Sequence, residues 1–119
     1  MTLRIQSFKL RLFDAHVRAL PDSGDAGVDL RGDEARAAFA VAEPMIAWLA
    51  AREPGVRVRS LSVDLRTGRV LVTVDDGAAR PRVVRIDAPA SQELVDLAAP
   101  VVRHLGERAA AKIAARRAD

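Results

Sequence analysis

The chain has 119 residues, and its 19 lysines and arginines stand against 16 aspartates and glutamates, which gives a formal net charge of only +3. This length predicts one domain, residues 1–119, with one hydrophobic core. Because the chain has no cysteine, a disulfide framework, a thiolate nucleophile and a cysteine-ligated zinc site are all excluded.

Alternation of apolar and polar side chains predicts β-structure in the first part of the chain. The apolar side chains occupy even positions from Phe8 to Leu12 and odd positions from Phe13 to Val17, and this change of face indicates a bulge or a turn. A loop rich in aspartate and glycine follows, and residues 28–30 suit a short edge strand. Asp33 is then expected to be the N-cap of a helix.

Residues 33–52 are predicted to form the organising helix of the fold. Between Ala37 and Ala51 the only formal charge is Glu43, and large apolar side chains lie on every face of the helical wheel. A helix that is apolar all round must be covered on more than one side. Pro44 should kink or break it. We therefore predict that five of its side chains mediate self-association or hold an apolar, lipid-like ligand: Phe39, Met45, Ile46, Trp48 and Leu49.

Residues 56–87 have the pattern of a three-stranded antiparallel meander. A two-residue turn at Thr67 and Gly68 would pair Leu65 with Val70 and separate apolar from polar side chains. A change of parity predicts a bulge near Arg59, and repeated bulges predict strong curvature. An amphipathic helix, interrupted by a proline, is predicted for residues 91–117.

The predicted fold class is therefore α+β. A curved antiparallel sheet of four to five strands packs on the kinked apolar helix and on the C-terminal amphipathic helix, in the order β-β-α-β-β-β-α. No internal repeat is evident in the sequence. No stretch approaches the ~20 strongly apolar residues that cross a bilayer, and residues 1–12 lack the apolar run of a signal peptide. A cytoplasmic location is therefore expected, with export through a removed leader as the alternative.

The stretch from Gly32 to Gly77 resembles half of a bacterial tubular lipid-binding (TULIP-like) module. A mostly apolar helix is followed by Pro-Gly, by a Val-Arg-Val-x-Ser-Leu-x-Val run and by a Gly-Arg-Val-Leu-Val hairpin strand. The resemblance implies a sheet that wraps an apolar groove, and a fatty or lipid-like ligand against the helix 33–52.

Arginine residues support an alternative function, which is RNA or ribosome binding. Seven of them lie in the sheet region and in the basic C-terminal helix: Arg57, Arg59, Arg80, Arg82, Arg85, Arg116 and Arg117. A guanidinium group binds phosphate oxygens in a bidentate manner. The β-α-β-β-β-α order is also similar to that of ribosome hibernation factors, which place a basic helical surface on ribosomal RNA.

Few residues are suited to catalysis. His16 and His104 are the only imidazoles, and neither has a partner at metal-ligand spacing. Tyrosine and cysteine are absent, and no serine lies in a nucleophile motif. We predict a binding or assembly module that is not an enzyme, has no cofactor or metal, and partners with a second copy of itself or with another protein.

Overall fold

Six strands and four helices are present in the computed structural model, which describes residues 2–52, 54–75, 77 and 80–118. The strands are β1 (Ile5–Arg11), β2 (His16–Pro21), β3 (Val28–Arg31), β4 (Arg57–Asp64), β5 (Arg69–Asp75) and β6 (Arg82–Ile86). The helices are α1 (Asp33–Val41), α2 (Glu43–Arg52), α3 (Ala90–Leu97) and α4 (Ala99–Ala118). All strand pairs are antiparallel, and the sheet order is β3-β2-β1-β4-β5-β6. The α+β class is confirmed, and six strands replace the four to five that the sequence predicted.

Both long predicted helices are broken in two next to a proline. Ala42 closes α1 by donating its backbone N–H to Ala38, and its own carbonyl accepts from Met45 at 2.9 Å to open α2. Pro44 lies in the first turn of α2, where its missing N–H costs nothing, whereas one continuous helix would have lost a hydrogen bond. Ala98 separates α3 from α4 in the same way, and Pro100 lies in the first turn of α4. None of the described helices is long and apolar enough to cross a membrane.

The start of α1 differs from the sequence prediction. Gly32, with φ +56°, precedes the helix, and Asp33 is its first helical residue rather than its N-cap. The Asp33 carboxylate makes no capping bond and instead accepts from Arg36 Nη1 at 2.7 Å. It still lies at the positive end of the helix dipole, where a carboxylate is stabilising.

The β4–β5 hairpin is paired two residues away from the predicted register. Val70 pairs with Val63 instead of Leu65, because the turn has four residues, 65–68. The Asp64 side chain accepts two backbone N–H groups of the turn, its carbonyl accepts from Gly68 at 2.8 Å, and Gly68 supplies φ +75°. A slip of two residues leaves every side chain on its predicted face. The bulge predicted near Arg59 is confirmed.

The helices pack on one face of the sheet, and the core lies between the two layers. Met45 and Leu49 of α2 and Leu105 of α4 are among its most buried side chains. On the strands, the core side is formed by alternate residues: Phe8, Leu10, Val17, Ala19, Val28, Leu30, Leu61, Val63, Val70, Val72, Val74 and Ile86. The side chains between them point to the opposite face of the sheet.

The strands form two equivalent halves, although no repeat is evident in the sequence. Lys9 in β1 pairs directly with Ser62 in β4, and these two residues are 53 positions apart. The same spacing relates Ile5 to Val58, each of which immediately precedes a bulge. It also relates the two hairpin turns, 12–15 and 65–68. An approximate two-fold axis therefore passes between β1 and β4.

The helices follow the same relation at a spacing of 56 positions. Ala42 and Ala98 separate the two helices of each half, and the buried Met45 of α2 corresponds to the buried Val101 of α4. In keeping with a two-fold arrangement, α1 contacts α4 and α2 contacts α3. The extra length of α4 breaks the symmetry, and it brings the end of this helix beside β3.

Candidate functional site

The face of the sheet opposite the helices is called the open face here. It presents two large exposed apolar side chains, Phe13 at 46% and Val83 at 65% relative exposure. The same face is rich in cations, which lie on all six strands or their bulges: Lys9, Arg11, Arg18, Arg31, Arg57, Arg59, Arg69 and Arg85. An exposed apolar side chain surrounded by arginines indicates a surface suited to an anionic partner that also has apolar parts.

A shallow depression of about 130 Å³ lies on the open face where the two halves meet. We call it the niche and define it by its lining: Lys9, Arg11, Phe13, Asp14, Arg59, Ser60 and Thr73. The sheet register explains the grouping, because Arg11 pairs with Ser60 and Ser60 pairs with Thr73. Three cations and two hydroxyl groups thus surround one small space, with a single carboxylate at its edge.

Phe13 forms the aromatic wall of the niche from the turn between β1 and β2. Its ring lies under two guanidinium groups, with Arg57 Cζ at 4.9 Å and Arg59 Cζ at 5.1 Å from the ring centroid. Arg59 reaches the ring because it is the bulged residue of β4, and a bulge redirects the side chain that it carries. The cation–π contacts hold both arginines beside the niche without neutralising them.

The cations of the open face differ in whether a carboxylate neutralises them. Asp29 binds His16 Nε2 at 2.8 Å and accepts from Arg18 Nη1 at 2.9 Å. The hydrogen bond from His16, and then the bond and charge of Arg18, lower the pKa of Asp29 against the opposing effect of partial burial. By contrast, Lys9 and Arg11 form no ion pair within the described part of the chain. The positive charge of the niche therefore remains available.

The structure divides the seven arginines of the RNA prediction into two groups. Arg57 and Arg59 adjoin the niche. Arg85 lies on the open face, and its Nε is 3.1 Å from Asp87 Oδ1. Arg80 is exposed before β6, and Arg82 begins that strand. The second group, Arg116 and Arg117, lies at the end of α4, away from these residues.

The basic end of α4 is engaged by the acidic segment that precedes and begins α1. Arg117 Nη2 lies 3.0 Å from Asp25 Oδ1, and Glu34 accepts from Arg108 Nη2 at 2.8 Å and from Lys112 Nζ at 3.0 Å. The bond from Arg108, followed by that from Lys112, lowers the pKa of Glu34. The pKa of Asp25 is lowered first by a hydrogen bond from Ser23 and further by Arg117. These charges therefore serve the fold, and they are less available to a partner.

The five predicted ligand or interface residues of the segment 33–52 do not form one surface. Met45 is 0% and Leu49 is 2% exposed, so both belong to the core. Phe39, Ile46 and Trp48 are half-buried and pack against that core. Arg52 covers the Trp48 ring, with its Cζ 5.3 Å from the ring centroid.

Six of the niche residues were not named by the sequence prediction: Lys9, Arg11, Phe13, Asp14, Ser60 and Thr73. The sequence did carry part of the signal, because Lys9 and Arg11 alternate with apolar residues and therefore share the polar face of β1. What it did not show is that β4 lies next to β1. Among the described residues, no group of three or more histidine, aspartate or glutamate side chains converges in a way that could hold a metal ion.

No protein-family model, curated protein or solved structure matches this chain. Its function is therefore inferred from the site itself.

Proposed function

We propose that this protein is a non-catalytic module that binds single-stranded RNA on its open face, with the niche holding a backbone phosphate. The observation that carries the proposal is the convergence of Lys9, Arg11 and Arg59 on a depression of about 130 Å³. Two of these cations have no ion-pair partner in the described structure.

The chemistry of the niche matches a phosphodiester. Guanidinium groups donate paired N–H bonds to phosphate oxygens, and the hydroxyls of Ser60 and Thr73 add neutral donors. Arg59 is only weakly neutralised, since Asp75 lies 4.0 Å from its Nη1 at the exposed surface. The depression has room for one phosphate group, and the bases would then lie outside it.

Phe13 and its two arginines supply the second element of the proposed RNA surface. Bases stack on aromatic rings and on guanidinium planes with little dependence on sequence. The exposed 46% of Phe13 and the faces of Arg57 and Arg59 are suited to this role. Access to RNA is compatible with the cytoplasmic location that the sequence predicts. Self-association or an apolar ligand on residues 33–52 stays a prediction, and the burial of Met45 and Leu49 leaves little surface for it.

Fluorescence anisotropy with a labelled single-stranded RNA of mixed sequence tests this proposal. The wild-type chain should bind, and its log affinity should fall linearly with log salt. The variant R11Q/R59Q should bind more weakly and show a salt slope smaller by about 0.7 for each phosphate contact that is lost. F13A should weaken binding about fivefold or more without changing the slope, because one base–aromatic stack is worth about 1–3 kcal/mol.

Arg36→Gln is the matched control for charge. Arg36 is exposed on α1, on the helix side of the molecule, and its change removes one positive charge without touching the open face. It should leave the RNA affinity within about twofold of wild type, as expected for a screened distant charge. Equal losses in R36Q and in the single variant R11Q would show that net charge alone binds the RNA, and would overturn the proposed site.

A further inference from the structure

A second feature lies where the N-terminal segment and the turn between β4 and β5 meet the helices. It is an apolar groove of about 490 Å³ between the N-terminal segment and the junction of α3 with α4, called the α3–α4 groove here. Leu3, Leu65, Val95 and Val102 supply its apolar lining, and Arg4 and Arg103 stand at its rim. All four apolar side chains are only partly buried, so they keep surface for a ligand.

The floor of this groove is held in place by a close backbone contact. Leu3 donates its N–H to the Gly106 carbonyl at 3.1 Å, which fastens the N-terminal segment to α4. Gly106 has no side chain, and a Cβ there would collide with the carbonyl oxygen of Leu3. The groove is therefore a fixed surface between packed elements.

The two-fold relation shows what occupies the equivalent place in the other half. At the spacing of 56 positions, Val95 corresponds to Phe39 and Arg103 corresponds to Ala47. In the first half the Phe39 ring packs against the core from this position. In the second half the smaller Val95 leaves space, and Arg103 stands at the rim where the first half has Ala47.

We propose that the α3–α4 groove binds an acidic peptide segment of a partner protein, which inserts a bulky apolar side chain where Phe39 lies in the other half. The rim favours a negatively charged partner. Arg4 and Arg103 are exposed and form no ion pair in the described structure, and no carboxylate lines the groove. Carboxylates that flank the apolar side chain would complement both arginines.

Charge argues against a second copy of the chain as the occupant. Its most exposed aromatic side chain, Phe13, is flanked by Arg57 and Arg59, and these would approach Arg4 and Arg103 with like charge. The groove is also shallow and open to solvent, which suits one or two side chains of a docked peptide better than a long acyl chain.

Titration of the ¹⁵N-labelled full chain tests this proposal with a short peptide that has a central phenylalanine–leucine pair flanked by aspartates. Amide shifts should concentrate at Leu3, Val95 and Val102. The same peptide with lysines in place of its aspartates should bind at least about tenfold more weakly. Sodium dodecanoate should not compete with the acidic peptide at comparable concentration.

The charge-reversed variant R4E/R103E provides the decisive comparison. Both side chains are exposed, so the fold should be kept, and the preference should invert toward the lysine peptide. R36E should leave the preference of the wild-type chain unchanged. Equal affinity for the two peptides, shifts outside the groove, or displacement by dodecanoate would each overturn the proposal.

Discussion

Replacement of Gly106 by alanine tests whether α4 touches the N-terminal segment as closely as the structure shows. In an isolated helix this change would stabilise by about 1 kcal/mol, because glycine is a poor helix former. Here the new methyl group would meet the Leu3 carbonyl oxygen, and Thr2 Cγ2 at 2.8 Å. The Thr2 methyl group can rotate away, but the Leu3 carbonyl oxygen cannot yield without movement of the backbone of the N-terminal segment or of α4.

The expected change in the free energy of unfolding combines two costs and one gain. Overpacking of a close contact costs about 1–3 kcal/mol, and loss of the hydrogen bond from Leu3 to Gly106 costs about 0.5–1.5 kcal/mol. The gain in helix propensity offsets about 1 kcal/mol of this. We therefore expect G106A to lower the free energy of unfolding by about 0.5–3.5 kcal/mol.

Urea unfolding measures the loss, and amide hydrogen exchange locates it. The Leu3 amide, which is protected by its bond to Gly106, should exchange faster in G106A, while amides at the centre of β1 should be less affected. Ala50→Gly is the control, since Ala50 is exposed 56 positions earlier in α2 and should lose only about 1 kcal/mol. A G106A chain that is more stable than wild type, with its Leu3 amide still protected, would refute the contact.

Three further changes test other parts of the structure. Glu34→Gln should destabilise the protein near neutral pH, and the difference from wild type should vanish as the pH falls below the ordinary pKa of 4.5 and then below the lowered pKa of Glu34 in the folded protein. Urea unfolding from pH 7 to pH 2 measures this difference, and a difference that persists at the acid end would contradict the prediction. Leu10→Ala, at a fully buried position, should cost about 2–5 kcal/mol in the same assay, and a cost below about 1 kcal/mol would mean that β1 is not central to the core. Phe13→Ala should cost less than about 1 kcal/mol because the ring is half-exposed, and a larger loss would assign Phe13 to the fold rather than to binding.

The α+β class and most strands could be predicted from the sequence because they depend on local alternation. The bulge at Arg59 follows from a change of parity within a few residues, and a bulge is present there. The length of the next turn could not be predicted in this way. It depends on side-chain and backbone bonds of Asp64 that compete with a tighter turn.

The two-fold relation could not be recognised from the sequence because many equivalent positions share burial rather than residue type. Met45 and Val101 are both fully buried, but one is unbranched and the other β-branched. The niche could not be predicted from the sequence for a different reason. It joins Arg11 with Ser60 and Thr73 through the pairing of β1 with β4, a contact between strands that are far apart in the sequence. Local periodicity carries no information about which strands become neighbours.

The most direct test of the proposed function is the salt dependence of single-stranded RNA binding by the wild-type chain and R11Q/R59Q, measured side by side. The structure predicts measurable binding by the wild type, and a slope of log affinity against log salt that is smaller in the variant by about 0.7 per lost phosphate contact. Identical slopes for the two proteins, or no binding by the wild type at low salt, would contradict a phosphate site in the niche.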